Sequence, residues 1–314
     1  MPTLIQLEYV IAVEQEGHFG KAAQRCHVSQ PSLSNSIKKL ERELGVILFD
    51  RAHSPIRPTE AGLKFIEQSR RVLLEAKRLT HLADSSRGVP TGRFHLGVIP
   101  TLAPYMVPFF AGELAKKYEH GHLVVSEMKT DVILRLLEED EIDAGLLVTP
   151  LHHPKIVETP LFLEPFHAFV SDAHPLARKK VINEEELEPE NLWLLEEGHC
   201  FRDQALNICN SRSHASKIEN LELTSGNLST LIKLIERYSG FTLLPEMATY
   251  DLTNEQKRNL RSFEPPIPTR EVSLVHGTHL IKKTIFSVLK KQILESIPKS
   301  LKIHGQSQAR VIPL

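Results

Sequence analysis

The sequence has little of what secreted and membrane-spanning proteins need. It holds only three cysteines in 314 residues, an odd and small number that suits a reducing compartment, where a disulfide is transient rather than structural. No apolar run approaches the roughly 20 residues that span a bilayer. The amino terminus lacks the basic stretch and apolar core of a secretory signal. We therefore predict a cytoplasmic protein with no membrane partner.

Excess charge of either sign is also missing. The net charge is −1 at pH 7, so the composition as a whole indicates neither a nucleic-acid nor a membrane partner. Residues 1–90 carry 13 Lys and Arg against 10 Asp and Glu, so a basic surface, if present, must be local. The short histidine pairs His120/His122 and His152/His153 lack cysteine partners, and we predict no metal and no cofactor.

Three helical patterns and a small hairpin fill residues 1–62. Apolar residues recur at helical spacing in each helix, and Gly17 and Gly45 provide stops for the first and third. Ser29 is the candidate N-cap of the third helix. Two short strands lie on either side of a turn at residues 52–55 and form the hairpin.

The outer face of the third helix has short polar side chains at its start and lysines further along. These candidate DNA contacts are Gln30, Ser32, Ser34, Asn35, Lys38 and Lys39. Hydroxyl and amide groups at a helix amino end can reach base edges in the major groove, and lysines can contact phosphates. Arg51 and Arg57, on the hairpin or wing, would lie near the DNA backbone. An ordinary three-helix bundle with a solvated face fits the same pattern equally well.

Residues 59–92 indicate a long helix followed by a hinge. Thr59 can cap a helix that runs to about Ser86, and residues 88–92 contain the glycines and proline of the hinge. A near-heptad stripe of small and apolar side chains follows the helix and predicts dimerisation through it. The stripe consists of Phe65, Ile66, Ser69, Val72, Leu73, Ala76, Leu79 and Ala83. A symmetric dimer would read a roughly palindromic DNA site.

Strand and helix patterns alternate along residues 93–314, which predicts parallel strands with helical crossovers. The order indicates two lobes with a hinged cleft. Lobe I covers about 93–163 and 270–300, and lobe II covers about 164–269, with strands at 193–195 and 240–245. Thr101 and Thr130 each follow a strand just before a helix. Each can cap that helix or line a polar cradle for an oxygen ligand or an anion.

Two of the three cysteines, Cys200 and Cys209, lie nine positions apart. His199 and Arg202 flank the first and can stabilise a thiolate, so Cys200 is the candidate reactive thiol, with a depressed pKa. A sulfenic acid there could be captured by Cys209. If residues 201–208 are helical, roughly 13 Å separates the two cysteines, whereas a disulfide needs Cα atoms within about 7 Å. Closing the bond would then refold this segment. The alternative is a pair of buried cysteines that never meet.

A dense set of residues in the first 62 carries a resemblance to a known family. The set is 22–23, 28–34, 37, 40–41, 44–45, 48–49, 51, 59 and 61–62. It resembles the winged helix-turn-helix of LysR-type transcriptional regulators, which implies that Gln30, Pro31, Ser32 and Ser34 lie at the groove-facing start of a recognition helix. It also implies promoter DNA and RNA polymerase as partners, dimers and tetramers, and a two-lobed periplasmic-binding-protein-like α/β effector domain.

A second resemblance concerns the cysteines. Residues 194–205, LLEEGHCFRDQA, with Cys209 after them, resemble the peroxide-sensing branch of the same family. This resemblance implies that Cys200 reacts with hydrogen peroxide and that Cys209 resolves the product into a reversible disulfide, with glutaredoxin or thioredoxin as reductant. The peroxide pocket that it implies consists of Thr101, Thr130, His199, Arg202 and Asp203.

On this interpretation the protein is not an enzyme but a regulator, and an activator, of oxidative-stress genes. Two alternatives stay open: a LysR-type regulator of a small metabolite in which the cysteines take no part, and a thiol peroxidase. One departure matters. Relatives have an arginine after a strand that this chain ends with residues 274–277, LVHG. A cation beside the thiol is then missing or comes from elsewhere, such as Arg202 or His276.

Overall fold

The computed structural model describes residues 1–85, 92–188, 192–209, 225–303 and 308–314. The chain divides into two compact units, Met1–Gly88 and Val89–Leu314. The predicted hinge at residues 88–92 lies outside the described residues, except for Gly92. Within the described ranges, no helix is both long and apolar enough to cross a membrane.

The first unit is a helix-turn-helix with a small wing, as predicted. Its elements are α1 Leu4–Glu16, α2 Phe19–Arg25, α3 Gln30–Leu44, β1 Phe49–Asp50, β2 Arg57–Pro58 and α4 Glu60–Ser85. Gly17 ends α1 at a φ of +58°, a conformation that glycine adopts without strain. Ser29 caps α3 by accepting a hydrogen bond from the Ser32 N–H, and β1 pairs antiparallel with β2.

One face of α3 is buried and the other is free. Leu33, Ile37 and Leu40 are fully buried in the core of the unit, because positions three and four apart share one side of a helix. They pack with apolar residues of α1, α2, the wing and the start of α4. The polar side of α3 is therefore available to a partner.

Helix α4 begins as predicted, with the Thr59 hydroxyl accepting a hydrogen bond from the Gly62 N–H at 2.9 Å. Its predicted dimerisation stripe is divided between two surroundings. Ile66 and Ser69 are buried within the unit, whereas Val72 and Leu79 are 40% and 70% exposed. The exposed members are the ones that a second chain could cover.

The second unit is built on one nine-stranded mixed sheet. Its strands are β3 Gly92–Val98, β4 Gly121–Glu127, β5 Ala144–Thr149, β6 Ile156–Val170, β7 Val181–Ile182, β8 Phe241–Pro245, β9 Leu260–Phe263, β10 Ile267–Gly277 and β11 Ala309–Val311. The order is β4-β3-β5-β10-β6-β9-β7, with β8 beside β6 and β11 beside β10. Strands β3, β4 and β5 are parallel, as predicted, and β10 runs antiparallel between β5 and β6.

The helices of the second unit surround two separate cores. They are α5 Ala103–Lys117, α6 Thr130–Glu138, α7 Cys200–Ile208, α8 Leu228–Arg237, α9 Lys283–Ser296 and α10 Lys299–Ile303. The first core joins α5, α6 and α9 to β3 and β5, and the second joins α7 and α8 to β8 and the end of β6. The long strands β6 and β10 serve both cores, so the predicted two-lobed α/β architecture is confirmed.

One prediction about strands was wrong, and one strand was not predicted. Residues 193–195 form no strand; the chain makes only an isolated bridge at Leu192 to Phe241, and the Trp193 carbonyl accepts a hydrogen bond from the Thr242 hydroxyl instead of a ladder partner. The fifteen-residue strand β6 was not predicted, because Pro160, Pro165 and the two glutamates Glu158 and Glu164 interrupt its alternating pattern.

Candidate functional site

Cys200 is the first residue of α7. Gly198 precedes it with a φ of +87°, which sets the sharp approach to the helix, and the His199 carbonyl accepts the first turn's hydrogen bond from the Arg202 N–H. The thiol is partly buried against the first core. The hydroxyl of Thr130, the first residue of α6, lies 3.0 Å from the Cys200 Sγ. The two helix starts therefore meet at the thiol.

A fully buried ion pair lies beside this thiol. The Arg270 Nε donates to the Glu164 carboxylate at 2.9 Å, and both side chains are completely buried. The Arg270 Nη1 donates to the Thr101 hydroxyl at 2.9 Å, and its Nη2 donates to the Thr101 carbonyl at 3.2 Å. The guanidinium also lies 6.0 Å from the centre of the Phe201 ring. Arg270 on β10 is thus a fixed cation next to the start of α7.

The pKa of Cys200 reflects competing effects of these neighbours. Burial raises the pKa of the thiol above its ordinary value, and the charge of Asp203 adds to the rise. The Thr130 hydrogen bond and, after it, the Arg270 charge lower the pKa. Because burial is the largest effect, the expected depressed pKa was wrong for this conformation.

Neither threonine acts as a helix cap. Thr130 is inside α6, whose N-cap is Lys129, and Thr101 precedes the Leu102 N-cap of α5; neither of these caps makes a side-chain hydrogen bond. Thr101 serves Arg270 and Thr130 serves Cys200. Neither threonine thus has the capping role that the sequence left open, and the cradle for a ligand stays a prediction.

His199, the residue before Cys200 in the chain, is buried. Burial lowers the pKa of its imidazole, and the Lys129 charge lowers it further, so the ring is neutral near pH 7. Its Nε2 lies 3.6 Å from the Glu196 carboxylate, too far for a hydrogen bond. Lys129 pairs with Glu196 at 2.8 Å and donates to the Glu197 carbonyl at 3.0 Å. These contacts tie the loop before Cys200 to the start of α6.

The other predicted pocket residues lie near the site in different roles. The Arg202 guanidinium donates to the Leu195 carbonyl at 2.9 Å, and Asp203 is exposed one turn from Cys200. His276 packs edge-on against Phe286. Of the possibilities that the sequence left open, a cation from elsewhere fits the structure, since the charge of Arg270, rather than that of Arg202 or His276, acts on Cys200.

Cys209 lies at the other end of α7, where its N–H donates to the Ala205 carbonyl at 3.1 Å. It is 4% exposed and belongs to the second core. Burial, with the charge of Glu184, raises the pKa of its thiol to about 12. Because α7 is helical between the two cysteines, which meets the condition stated from the sequence, their Cα atoms are roughly 13 Å apart. Both thiols are free.

The polar face of α3 presents nearly all of the predicted DNA-contacting side chains. Those exposed are Gln30, Pro31, Ser32, Asn35, Lys38 and Lys39, while Ser34 is half-buried. Arg51 has another role: its guanidinium binds Glu41 at 2.7 Å and lies 5.0 Å from the centre of the Phe19 ring. Arg51 therefore stabilises the wing whether or not it also reaches DNA.

A helix-turn-helix unit and a two-lobed α/β unit in one chain define a transcription regulator that carries its own sensor. Residues 4–63 match the model for bacterial regulatory helix-turn-helix proteins of the lysR family, and residues 87–280 match the LysR substrate binding domain. The chain belongs to the LysR family of transcriptional regulators, among its OxyR-like members.

The comparison with individual proteins supports that placement. A hydrogen peroxide-inducible genes activator from Dickeya chrysanthemi is 34% identical over 95% of each chain. The DNA-binding transcriptional dual regulator OxyR of Escherichia coli is 35% identical over 86% of this chain and 88% of its own. Full-length OxyR from Pseudomonas aeruginosa, with one residue replaced, has a TM-score of 0.73 and 32% identity, covering 94% of this chain and 98% of that one.

Proposed function

We propose that this protein senses hydrogen peroxide through Cys200 and converts its oxidation into a change in promoter binding that controls oxidative-stress genes. The observation that carries the proposal is a thiol in contact with the Thr130 hydroxyl at 3.0 Å, whose pKa the Arg270 charge also lowers, at one end of a helix with a second thiol at the other end. The names of the relatives, which refer to hydrogen peroxide, support the same reading.

The first step is a two-electron oxidation of sulfur. The Cys200 thiolate attacks one oxygen of hydrogen peroxide, the O–O bond breaks, and the other oxygen leaves as hydroxide and takes a proton to become water. Thr130 donates its hydroxyl hydrogen to the thiolate, and the fixed charge of Arg270 stabilises the negative charge during the transfer. We place Thr101 and His199 in the peroxide pocket, with Arg202 and Asp203 at its margin.

The second step is disulfide formation, which requires a change in the conformation of α7. The Cys209 thiolate attacks the sulfenic sulfur of Cys200, the S–O bond breaks, and the oxygen leaves as hydroxide that becomes water. The two Cα atoms must approach from roughly 13 Å to within about 7 Å, so α7 has to unwind. A disulfide that closes a ten-residue loop favours the rearranged ensemble by about 2.7 kcal/mol on chain entropy, or about a hundredfold in population.

The signal reaches DNA through the assembly of several chains. We propose residues 1–62 as the DNA-binding domain, residues 59–92 as the dimerisation helix and hinge, and residues 93–314 as the redox-sensing domain. Exposed apolar residues of α4, including Val72 and Leu79, would pair two chains, and sensor contacts would complete a tetramer. RNA polymerase would then be engaged at the promoter. Glutaredoxin or thioredoxin would reduce the disulfide by thiol exchange.

Peptide mapping of the oxidised protein tests the proposal. After stoichiometric peroxide, mass spectrometry should find a peptide linked between Cys200 and Cys209, and the DNA footprint of the same sample should change. Reduction with dithiothreitol should reverse both. A protein that forms no linked peptide and keeps its footprint under peroxide would contradict the proposed function.

A further inference from the structure

Residues 308–314 form a segment that lies directly on the redox helix α7. The segment is anchored to the sheet, because β11 pairs in parallel with β10 from Ile267 to Thr269 and the Ile312 N–H donates to the Thr269 carbonyl at 2.9 Å. After β11 ends at Val311, the carbonyl groups of Ile312 and Pro313 face α7. The segment therefore joins the rigid sheet to the helix that carries both thiols.

Two side chains of α7 hold the backbone of this segment. The Gln204 Nε2 donates to the Ile312 carbonyl at 2.8 Å in a fully buried contact, and the Asn207 Nδ2 donates to the Pro313 carbonyl at 3.3 Å. Positions three apart lie on the same side of a helix, so both bonds depend on α7 being wound. The Gln204 Oε1 is buried without a hydrogen-bond partner, so the amide makes its buried bond through the nitrogen alone.

The side chains of the segment cover the Cys209 end of α7. Ile312 is 1% exposed and belongs to the same core as Ala205, Ile208 and Cys209. Arg310 forms an ion pair with Glu184, the carboxylate whose charge acts on Cys209. The segment thus has a hydrogen-bonded attachment to α7, an apolar attachment to the core that holds Cys209 and an ionic attachment to Glu184, and none of them is a contact with Cys200.

We propose that residues 308–314 are a latch that keeps α7 wound and Cys209 buried, so that release of the latch limits disulfide formation after Cys200 has been oxidised. The inference rests on the proposed peroxide-sensing function and adds its regulation. Gln204, Asn207 and Ile312 are positioning residues for the second step, in which the Cys209 sulfur displaces hydroxide from the sulfenic sulfur. They act by holding Cys209 away from that sulfur.

The latch separates the two steps of sensing. Cys200 can be oxidised with α7 wound, because its contacts with Thr130 lie at the opposite end of the helix. Gln204 and Asn207 lie on the helix that must unwind. Disulfide formation therefore has to break the hydrogen bonds that these two side chains donate to the segment. Weakening the latch should therefore shorten the lifetime of the sulfenic acid and leave its rate of formation unchanged.

A matched pair of core substitutions tests the latch in the full-length protein. Ile312→Ala removes apolar contact between the segment and α7, whereas Ile182→Ala removes the same atoms from the same core at β7, on the sheet edge. Rapid mixing with peroxide, quenching with a thiol alkylator and intact-mass analysis measure both steps. The fluorescence of Trp193, the only tryptophan in the sequence and a member of this core, follows the rearrangement.

We expect Ile312→Ala to speed the conversion of sulfenic acid to disulfide by about tenfold or more relative to Ile182→Ala, with equal rates of the first step. Gln204→Met, which keeps a good helix former but removes the hydrogen bond, should act in the same direction even if Ile312→Ala fails to fold. Equal conversion rates in Gln204→Met, Ile182→Ala and the unmodified protein would overturn the latch while the proposed function stands. Absence of any disulfide in the unmodified protein would overturn both.

Discussion

The two ends of α7 place the same functional group in opposite surroundings. At the amino end, Cys200 is partly buried and touches a hydroxyl at 3.0 Å, with a buried guanidinium nearby. At the carboxyl end, Cys209 is enclosed by apolar side chains and its pKa is raised to about 12. Burial raises the pKa of both thiols, but only Cys200 also has a hydroxyl and a guanidinium that lower it.

This difference assigns an order to the chemistry. A thiolate is the nucleophile toward peroxide, so the end with the hydroxyl and the cation reacts first. Cys209 can reach the Cys200 sulfur only after α7 has changed shape, because the wound helix holds the two Cα atoms roughly 13 Å apart. Cys200, at one end of the helix, therefore reacts with peroxide first, and Cys209, at the other end, reacts in a later step.

Replacing either cysteine should have the largest effect, because it removes one of the two thiols that the comparison concerns. We expect Cys200→Ser to lose the entire peroxide response, including the footprint change, because no other thiol has anion-stabilising partners of this kind in the described part of the chain. Cys209→Ser should instead accumulate a sulfenic acid at Cys200. Intact mass after trapping with dimedone measures both. A normal footprint response in Cys200→Ser would favour a metabolite-responsive regulator.

The ion pair beside Cys200 can be tested through stability. Arg270→Met leaves the fully buried Glu164 carboxylate without its cation, so we expect the free energy of unfolding of the reduced protein to fall by about 3–5 kcal/mol. The double variant Glu164→Gln/Arg270→Met should recover most of that loss of stability. It should react slowly with peroxide, because it lacks the Arg270 charge. Urea unfolding measures the effect. Arg237→Met, an exposed control on α8, should stay within about 0.5 kcal/mol; a similar small effect at Arg270 would contradict the buried pair.

The raised pKa of Cys200 determines how its oxidation depends on pH. Because the pKa lies above the ordinary value of about 8.5, the thiol is the major form at neutral pH and the thiolate fraction grows as the pH rises. In Cys209→Ser, the oxidation rate should therefore increase about tenfold per pH unit between about pH 6 and 8. Stopped-flow measurements would show this directly. A rate that levels off below pH 7 would mean that the Thr130 and Arg270 contacts outweigh burial.

Removal of the Thr130 hydroxyl should have a smaller effect, on the rate at which Cys200 is oxidised. Thr130→Val loses the contact with the Cys200 sulfur, which should slow the oxidation by about tenfold, since a hydrogen bond to a charged group contributes about 1.5 kcal/mol or more. Thr130→Ser keeps the hydroxyl and should react at nearly the normal rate. The same stopped-flow assay compares them. Equal rates for both variants would show that the contact does not assist the thiolate.

Local patterns in the sequence were sufficient for the elements around the two sulfurs. The apolar residues of α7 allowed a helix there, and Gly17, Ser29 and Thr59 predicted the end of α1 and the starts of α3 and α4, because capping depends on neighbours in the chain. The wing followed from the short runs on either side of a turn. These predictions required no knowledge of distant contacts.

The environment of Cys200 was harder to predict, because it depends on residues far apart in the sequence. Arg270 meets Thr101 and Glu164 across separations of 169 and 106 residues, which no local motif reveals. The available signal was an arginine in a strand that also contains the apolar residues Val272, Leu274 and Val275, since a charge in a buried strand needs a partner. The pKa of Cys200 was misjudged for the same reason: sequence neighbours are visible, but burial is a property of the fold.

Hydrogen exchange of the α7 backbone tests the central claim most directly. In the reduced protein, amides of residues 203–209 should be protected by their helical hydrogen bonds. Peroxide should abolish that protection in the unmodified protein, and dithiothreitol should restore it, whereas peroxide-treated Cys209→Ser should stay protected. If the Cys200–Cys209 disulfide formed while these amides kept their protection, the two thiols would have met without unwinding the helix, and the account would be contradicted.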